Sequence, residues 1–346
     1  MRGALVLEDG SVFPGDVFGR GRPEADGREV VCASGLSWQS LVSWPSFAGQ
    51  IVVGVGSPAS TPQTAAERCY PSGLVLNGVD VQPLHEHAWQ ASVAGLTGVD
   101  TEALAEHLRR TGPLAGAIVP AGTEPGLPAR RLAAMSSHPA PPDVGPEQVS
   151  TERPYRIYGG GPRVVVYDYG LGPDILGGLV ALDCKITVVP WDHPAEAVLE
   201  MLPDAVVLSG GPGNPAGGDD VISVFRPLLG ELPMLGVGLG HQLLARAMGA
   251  RTSLMWCGHR GRGFGVRDLE TGEVFRTTQS HGYCVLGPPP GARVTHTALN
   301  DATIEGLEYP GIGAFSVQFH PGNPGTPATA VWDRLLSPSR AAMRTA

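Results

Sequence analysis

From Arg163 onward, short apolar runs alternate with helix-like segments joined by short links, a pattern that confines this half of the chain to a layered α/β sheet. "RVVVYDYG" reads as a buried strand, "PDILGGLVALDC" as a helix, "KITVVP" as a second strand and "PAEAVLEML" as a helix. "DAVVLSGGPGNP" is a strand running into a glycine-rich loop, and "ISVFRPLLG" is a helix. "PMLGVGLG" is a strand that leads into a helix predicted to begin at His241. A doubly wound parallel sheet follows from this order, with ligands at the carboxyl ends of its strands. The remaining sequence, including "GVRDLETGEVFRTTQSHGYCV" and "IEGLEYPGIGAFSVQFHP", is strand-rich and closes on a helix, "TAVWDRLLS".

The chain has 346 residues. Single cores rarely grow past about 250–300 residues, so two domains are expected. Residues 1–120 carry short apolar runs broken by Gly, Pro and Ser. "ALVLEDGSVFPG" reads as a hairpin turning at Asp9-Gly10, "GQIVVGVG" and "SGLVLNGVDV" as strands, and "DTEALAEHLRRTG" as a helix stopped by Gly112. Such a mixture predicts a small α+β domain. The Pro/Gly-rich tract at 121–160 reads as a linker. The expected domains are therefore 1–150, including the linker, and 160–346.

Composition excludes several classes. Apolar residues make up 42% and charged residues 16%, as in a soluble globular protein. The formal net charge is −9 and there is no long basic run, so nucleic acid is not an expected partner. No apolar stretch approaches the roughly 20 residues of a membrane span, and the N-terminus has no signal-peptide core. A cytoplasmic protein with reduced thiols is expected. Cys32, Cys69, Cys184, Cys257 and Cys284 show no metal-type spacing. His85 and His87 in "LHEHAW", flanking Glu86, would share one face of a strand, where such a pair reads as solvated surface. No metal and no cofactor is implied.

Three segments stand where strands end. Ser209-Gly210-Gly211-Pro212-Gly213-Asn214-Pro215 can aim backbone N–H groups at an oxyanion. Gly236-Val237-Gly238-Leu239-Gly240 is built like the turn that presents a nucleophile, and "AFSVQFHP" delivers His320. These parts suit acyl transfer. The dinucleotide reading of the glycine turn fails on spacing, because His241 stands where the third glycine is required and the turn is not in the first βα unit.

With these motifs the chain resembles the small, glutamine-hydrolysing subunit of carbamoyl-phosphate synthetase, a class I glutamine amidotransferase. "LVLEDGSVFPG", "SWQSLVSWPSFAGQIV", "GLVLNGV" and "GVDTEALAEHLRRTG" match its first domain in order. "LSGGPGNP", "GVGLGHQLLA", "GHRG", "TQSHGY" and "FSVQFHP" match its amidotransferase domain in order. The resemblance implies an elbow Cys that forms a glutamyl thioester, a His that activates it, a Glu two residues later that orients the His, and ammonia delivery to a large synthetase subunit.

Placed on this sequence, the Cys position is Gly238, the His position His320 and the Glu position Gly322. The glutamine-binding positions fall on Ser46, Gly211, Gly213, Leu239, Gln242, Ser280, Gly282 and Tyr283. Asp100-Thr101-Glu102 carries an acid where the family has Arg. A thioester cannot form at a glycine. The leading expectation is a non-catalytic partner of a synthetase-like large subunit. The alternatives are an enzyme of specialised metabolism using the old pocket for acid/base chemistry on a small amide or amino acid, and a glutaminase with its nucleophile relocated to Cys284. Cys257, like Cys284, lacks an elbow, and His259 and His281 read as hydrogen-bonded structural histidines.

Overall fold

A computed structural model describes residues 1–18, 25–27, 29–56, 68–78, 93–137, 144–322, 328 and 330–336. His85, Glu86 and His87 lie outside the described residues. The chain divides into two compact units, Met1–Asp143 with Trp256–Arg262, and Val144–Met255 with Gly263–Ala346. No helix among the described residues is long and apolar enough to cross a membrane.

The first unit opens on the expected hairpin. Strands β1 (Arg2–Leu7) and β2 (Val12–Phe18) pair antiparallel with Val6 opposite Val12. Gly10 takes φ +89°, and the Asp9 carboxylate accepts the Ser11 N–H at 2.9 Å. Next come β3 (Ala25–Gly27), β4 (Val30–Ser34), α1 (Trp38–Ser43), β5 (Ile51–Val55), β6 (Gly73–Leu76) and β7 (Ala94–Thr97). Helix α2 (Thr101–Thr111) and β8 (Gly116–Pro120) follow. Strands β4 to β7 pair parallel in sequence order, β2 pairs antiparallel with β7, and β1 with β8.

Helix α2 shows how local sequence sets these elements. Asp100 caps it, accepting the Ala103 N–H at 2.9 Å, while Leu104 is buried and Glu102, Arg109 and Arg110 face solvent. The Asp100-Thr101-Glu102 segment is thus a helix start here. Gly112, at φ +84°, ends the helix. The tract read as a linker is partly helical: α3 (Gly126–Ser137) and α4 (Pro146–Val149) fall inside it. Both carry proline only near their first turn, where the missing N–H costs nothing.

The second unit contains β9 (Tyr155–Ile157), β10 (Arg163–Asp168), α5 (Pro173–Ala181), β11 (Lys185–Pro190), α6 (Ala195–Glu200), β12 (Ala205–Leu208) and α7 (Asp219–Phe225). Strand β13 (Met234–Val237) feeds α8 (Leu239–Ala247), which begins two residues before the expected start. Both ends of β14 (Thr252–Asp268), whose middle residues Trp256–Arg262 belong to the first unit, with β15 (Val274–Val285), β16 (Arg293–Ala298), β17 (Ile304–Tyr309), β18 (Ala314–Val317) and helix α9 (Ala330–Leu336), complete it.

The central strands run parallel in the order β11-β10-β12-β13-β18. Strand β9 adds antiparallel at one edge, and β17 and β16 continue antiparallel beyond β18. Helices cover both faces, so these strands are apolar on both sides. Val165, Tyr167, Val206, Leu208 and Met234 pack into one core layer; Val164, Val166, Val207, Leu235 and Val237 pack into the other. The direction of winding reverses between β10 and β12.

Candidate functional site

Strands β12, β13 and β18 are neighbours, and their carboxyl ends carry the three segments singled out in the sequence. Gly238, after β13, has φ +56° and ψ −113°. This geometry is strained for any residue with a side chain. The turn is held from both sides. Gly238 N–H donates to the Val317 carbonyl at 3.0 Å, its own carbonyl accepts the Gln242 N–H at 3.3 Å, and Gly240 N–H donates to the Ser209 carbonyl at 3.0 Å. A Cβ on Gly238 would meet nothing closer than the Gly210 Cα at 3.4 Å. The elbow therefore has room for a side chain, and Gly238 is partly exposed to solvent.

The glycine loop after β12 is clamped against the end of β10. Ser209 is fully buried; its hydroxyl accepts the Tyr169 N–H at 2.9 Å and donates to the Gly210 carbonyl at 2.8 Å. Asp168 fixes the facing chain by accepting N–H groups from Gly170 at 2.9 Å, Leu171 at 2.7 Å and Thr151 at 2.8 Å. Gly211 lies so close to this segment that a Cβ would stand 1.8 Å from the Tyr169 carbonyl oxygen. Gly213 takes φ +107°.

The other candidate positions are spread more widely. Leu239 is buried in a core layer, so its side chain serves packing. Gln242 is buried and donates from its amide to the Tyr283 carbonyl at 2.8 Å and the Gln318 side-chain oxygen at 2.9 Å, which ties α8 to β15. Ser280, Gly282 and Tyr283 lie on β15, all half-buried. Ser46 belongs to the first unit, half-buried in the short 3₁₀ helix Pro45–Phe47.

His281 and His241 are structural. His281 Nδ1 faces the Tyr283 carbonyl at 2.9 Å and Nε2 faces the Gln279 side-chain oxygen at 2.8 Å. Gln279 is oriented by donating to the Glu305 carboxylate at 3.0 Å. Its Nε2 lies 3.8 Å from the carboxylate of the fully buried Glu305. His241 is fully buried, with Nδ1 2.7 Å from the Ser316 hydroxyl; burial pushes its pKa down to about 3. His259 is buried in the first unit.

His320 stands three residues beyond β18. Its N–H donates to the Thr278 carbonyl at 2.9 Å. Its ring Nδ1 is 2.8 Å from the carboxylate of Asp174, in the first turn of α5. No local signal discloses this pairing, because the two residues are 146 positions apart. Burial lowers the His320 pKa, but the Asp174 charge and hydrogen bond outweigh it and raise the net value. Burial raises the Asp174 pKa, and the His320 charge and hydrogen bond, with backbone N–H groups at the helix start, hold it below the ordinary carboxylate value. Gly322 has φ +68°, and its carbonyl accepts the Trp332 indole N–H at 3.0 Å.

The cysteines are all free. Burial pushes the Cys32 and Cys69 thiols up to about 12 and Cys184 to about 11. Cys284, on β15, is also raised by burial and by the Asp301 and Glu305 charges. That is the opposite of an activated nucleophile.

Residues 165–333 match the family model for class I glutamine amidotransferase, the class to which this sheet, elbow and glycine loop correspond. Residues 5–118 match that for the carbamoyl-phosphate synthase small chain, CPSase domain. The carbamoyl phosphate synthase small chain of Symbiobacterium thermophilum is 40% identical over 339 residues, spanning 91% of this chain and 92% of that one. That of Bacillus caldolyticus is 38% identical, spanning 97% and 96%, and the pyrimidine-specific small chain of Halalkalibacterium halodurans is likewise 38% identical over the same shares. The chain belongs to the carbamoyl-phosphate synthase small chain family.

Proposed function

We propose that this chain is the small partner of a synthetase-like large subunit and does not release ammonia from glutamine through a thioester. The observation that carries this reading is the elbow. Its turn is kept, with the strained backbone and the oxyanion-type loop in place, yet the position that must carry the thiol is Gly238. In a comparable acyl-transfer enzyme, loss of the nucleophile costs about 10⁶-fold in turnover. What remains suits binding and assembly, and the names of the relatives, small chains of carbamoyl phosphate synthase, supply the kind of partner.

The test is co-expression of the tagged chain with a carbamoyl-phosphate synthase large chain. A stable complex is expected that makes carbamoyl phosphate from ammonia and not from glutamine. Glutamine-dependent synthesis at a rate near the ammonia-dependent one would overturn the reading. A glutamine-analogue chloroketone is expected to leave Cys284 unmodified at neutral pH, as read by peptide-mapped mass. An adduct mapped to Cys284 would favour a relocated nucleophile instead.

A second reading, an enzyme acting on a small amide or amino acid by non-covalent acid/base chemistry, is favoured by one observation: His320 has an acidic partner. Calorimetric screening of the isolated chain with glutamine, glutamate and asparagine separates the two. A specific ligand turned over without a large chain supports the enzyme, and a chain that binds none supports the partner.

A further inference from the structure

We propose that Asp174 is the positioning residue of His320, so that the chain keeps a complete and oriented base at its elbow and lacks the nucleophile alone. The family pattern puts the orienting acid two residues after the histidine, where this chain has Gly322. The carboxylate that reaches His320 comes from another element, the first turn of α5, at 2.8 Å from Nδ1. Asp174 is a charged group against the ring, and its charge and hydrogen bond raise the ring's pKa against burial.

The geometry sets the tautomer. Nδ1–H donates to the carboxylate, so the neutral ring carries its lone pair on Nε2. The histidine backbone is pinned to Thr278, and β18, which leads to His320, pairs directly with β13, which leads to Gly238. A second anchor is Asp174 itself, 18% exposed at the side chain and set at a helix start where backbone N–H groups favour its charge. The pairing is present in this chain by itself, and the inference goes beyond the partner reading.

The consequence concerns an introduced thiol. In Gly238→Cys the S–H bond breaks, its proton passes to Nε2 of the neutral His320 ring or, where the ring is already protonated, to solvent, and the thiolate is left beside an imidazolium whose other proton is held by Asp174. That thiolate attacks the methylene carbon of a glutamine-analogue chloroketone, forming a C–S bond and expelling chloride. The elbow has space for the side chain, since a Cβ there makes only an ordinary contact with Gly210.

The experiment compares alkylation rates of Gly238→Cys, Gly238→Cys/Asp174→Asn and Gly238→Cys/His320→Asn by peptide-mapped mass spectrometry, with the native chain as blank. Near pH 6 the Asp174→Asn double variant is expected to react about 10–100-fold more slowly than Gly238→Cys. The gap should close at about pH 9, where the thiol ionises unaided. Asp174→Glu in place of Asn should restore part of the rate. Identical pH–rate profiles with and without the Asp174 carboxyl would overturn the proposal. Should the elbow variant fail to fold, the His320 ring is titrated by NMR in the otherwise native chain. Asp174→Asn is expected to lower its pKa and release the Nδ1 proton preference, and an unchanged titration overturns the proposal equally. The partner reading fails on a different result, glutamine-dependent synthesis by the native complex.

Discussion

Gly211→Ala and Gly240→Ala are expected to destabilise the chain by about 3 kcal/mol or more each, while Gly238→Ala costs only about 1–3 kcal/mol. The three glycines look alike in the sequence, and their surroundings separate them. A Cβ on Gly211 would sit 1.8 Å from the Tyr169 carbonyl oxygen. On Gly240 it would sit 2.1 Å from the Leu208 carbonyl oxygen and 2.7 Å from its carbon. In both cases the obstacle is backbone, so no rotamer change relieves it. Either the glycine loop or the β12 strand must move, and both belong to a sheet whose core is close-packed. Gly238 meets no such wall, and its cost is the positive φ alone. Denaturant melts of the three alanine variants at neutral pH check the order. Binding to a large chain should follow it, with Gly238→Ala retaining assembly and the other two losing it in step with folding. If Gly238→Ala proved the most damaging, the turn would not be open to a side chain.

That contrast bears on what a sequence can disclose. The β1–β2 hairpin was legible because Asp9-Gly10 and the alternating apolar residues are local signals. The parallel sheet from Arg163 to Val237 was legible because strands buried on both faces must be apolar throughout. The elbow, too, was legible from spacing. Helix α3 was not, because the prolines around it mark a linker by composition while Gly126–Ser137 itself carries helix-forming Ala, Leu and Arg. Nor was the start of α8, set at Leu239 by the Gly238 cap and not at His241. The Asp174–His320 pair was invisible for a deeper reason. "GPDILGG" reads as an ordinary helix start with an acid in the first turn, which the helix dipole favours by itself. Only the folded chain, which carries the segment after β18 to the first turn of α5, gives that acid a second partner.

Between about pH 6.5 and 4 the stability of the chain is expected to fall by roughly 1.4 kcal/mol per pH unit, and His241 is the principal cause. Its ring is fully buried and its pKa is lowered by burial from 6.5 to about 3. In that interval the unfolded chain takes up a proton that the native chain refuses, so acid favours unfolding. The accumulated loss is about 3 kcal/mol by pH 4, a large share of the 5–15 kcal/mol that typically holds a fold together. His296, also lowered by burial, adds with the same sign. The Asp174–His320 pair does not compete in this window. The raised His320 pKa contributes stability that is complete below the unfolded value of 6.5 and is lost as pH rises through the folded one. The lowered Asp174 pKa contributes stability present above the unfolded value of 3.8 and lost as pH falls through the folded one. The lowered carboxylates Asp9, Asp268 and Glu308 likewise begin to matter only as pH falls toward about 4. The acid limb above that point therefore belongs to buried histidine. His241→Gln keeps a neutral polar group facing Ser316, so its midpoint of denaturation at pH 7 should change little while the slope between about pH 6.5 and 4 flattens. Urea melts across that range measure both. A slope unchanged by the substitution would mean that the ring finds its proton in the native state, with Ser316 and Tyr309 rearranged to admit it.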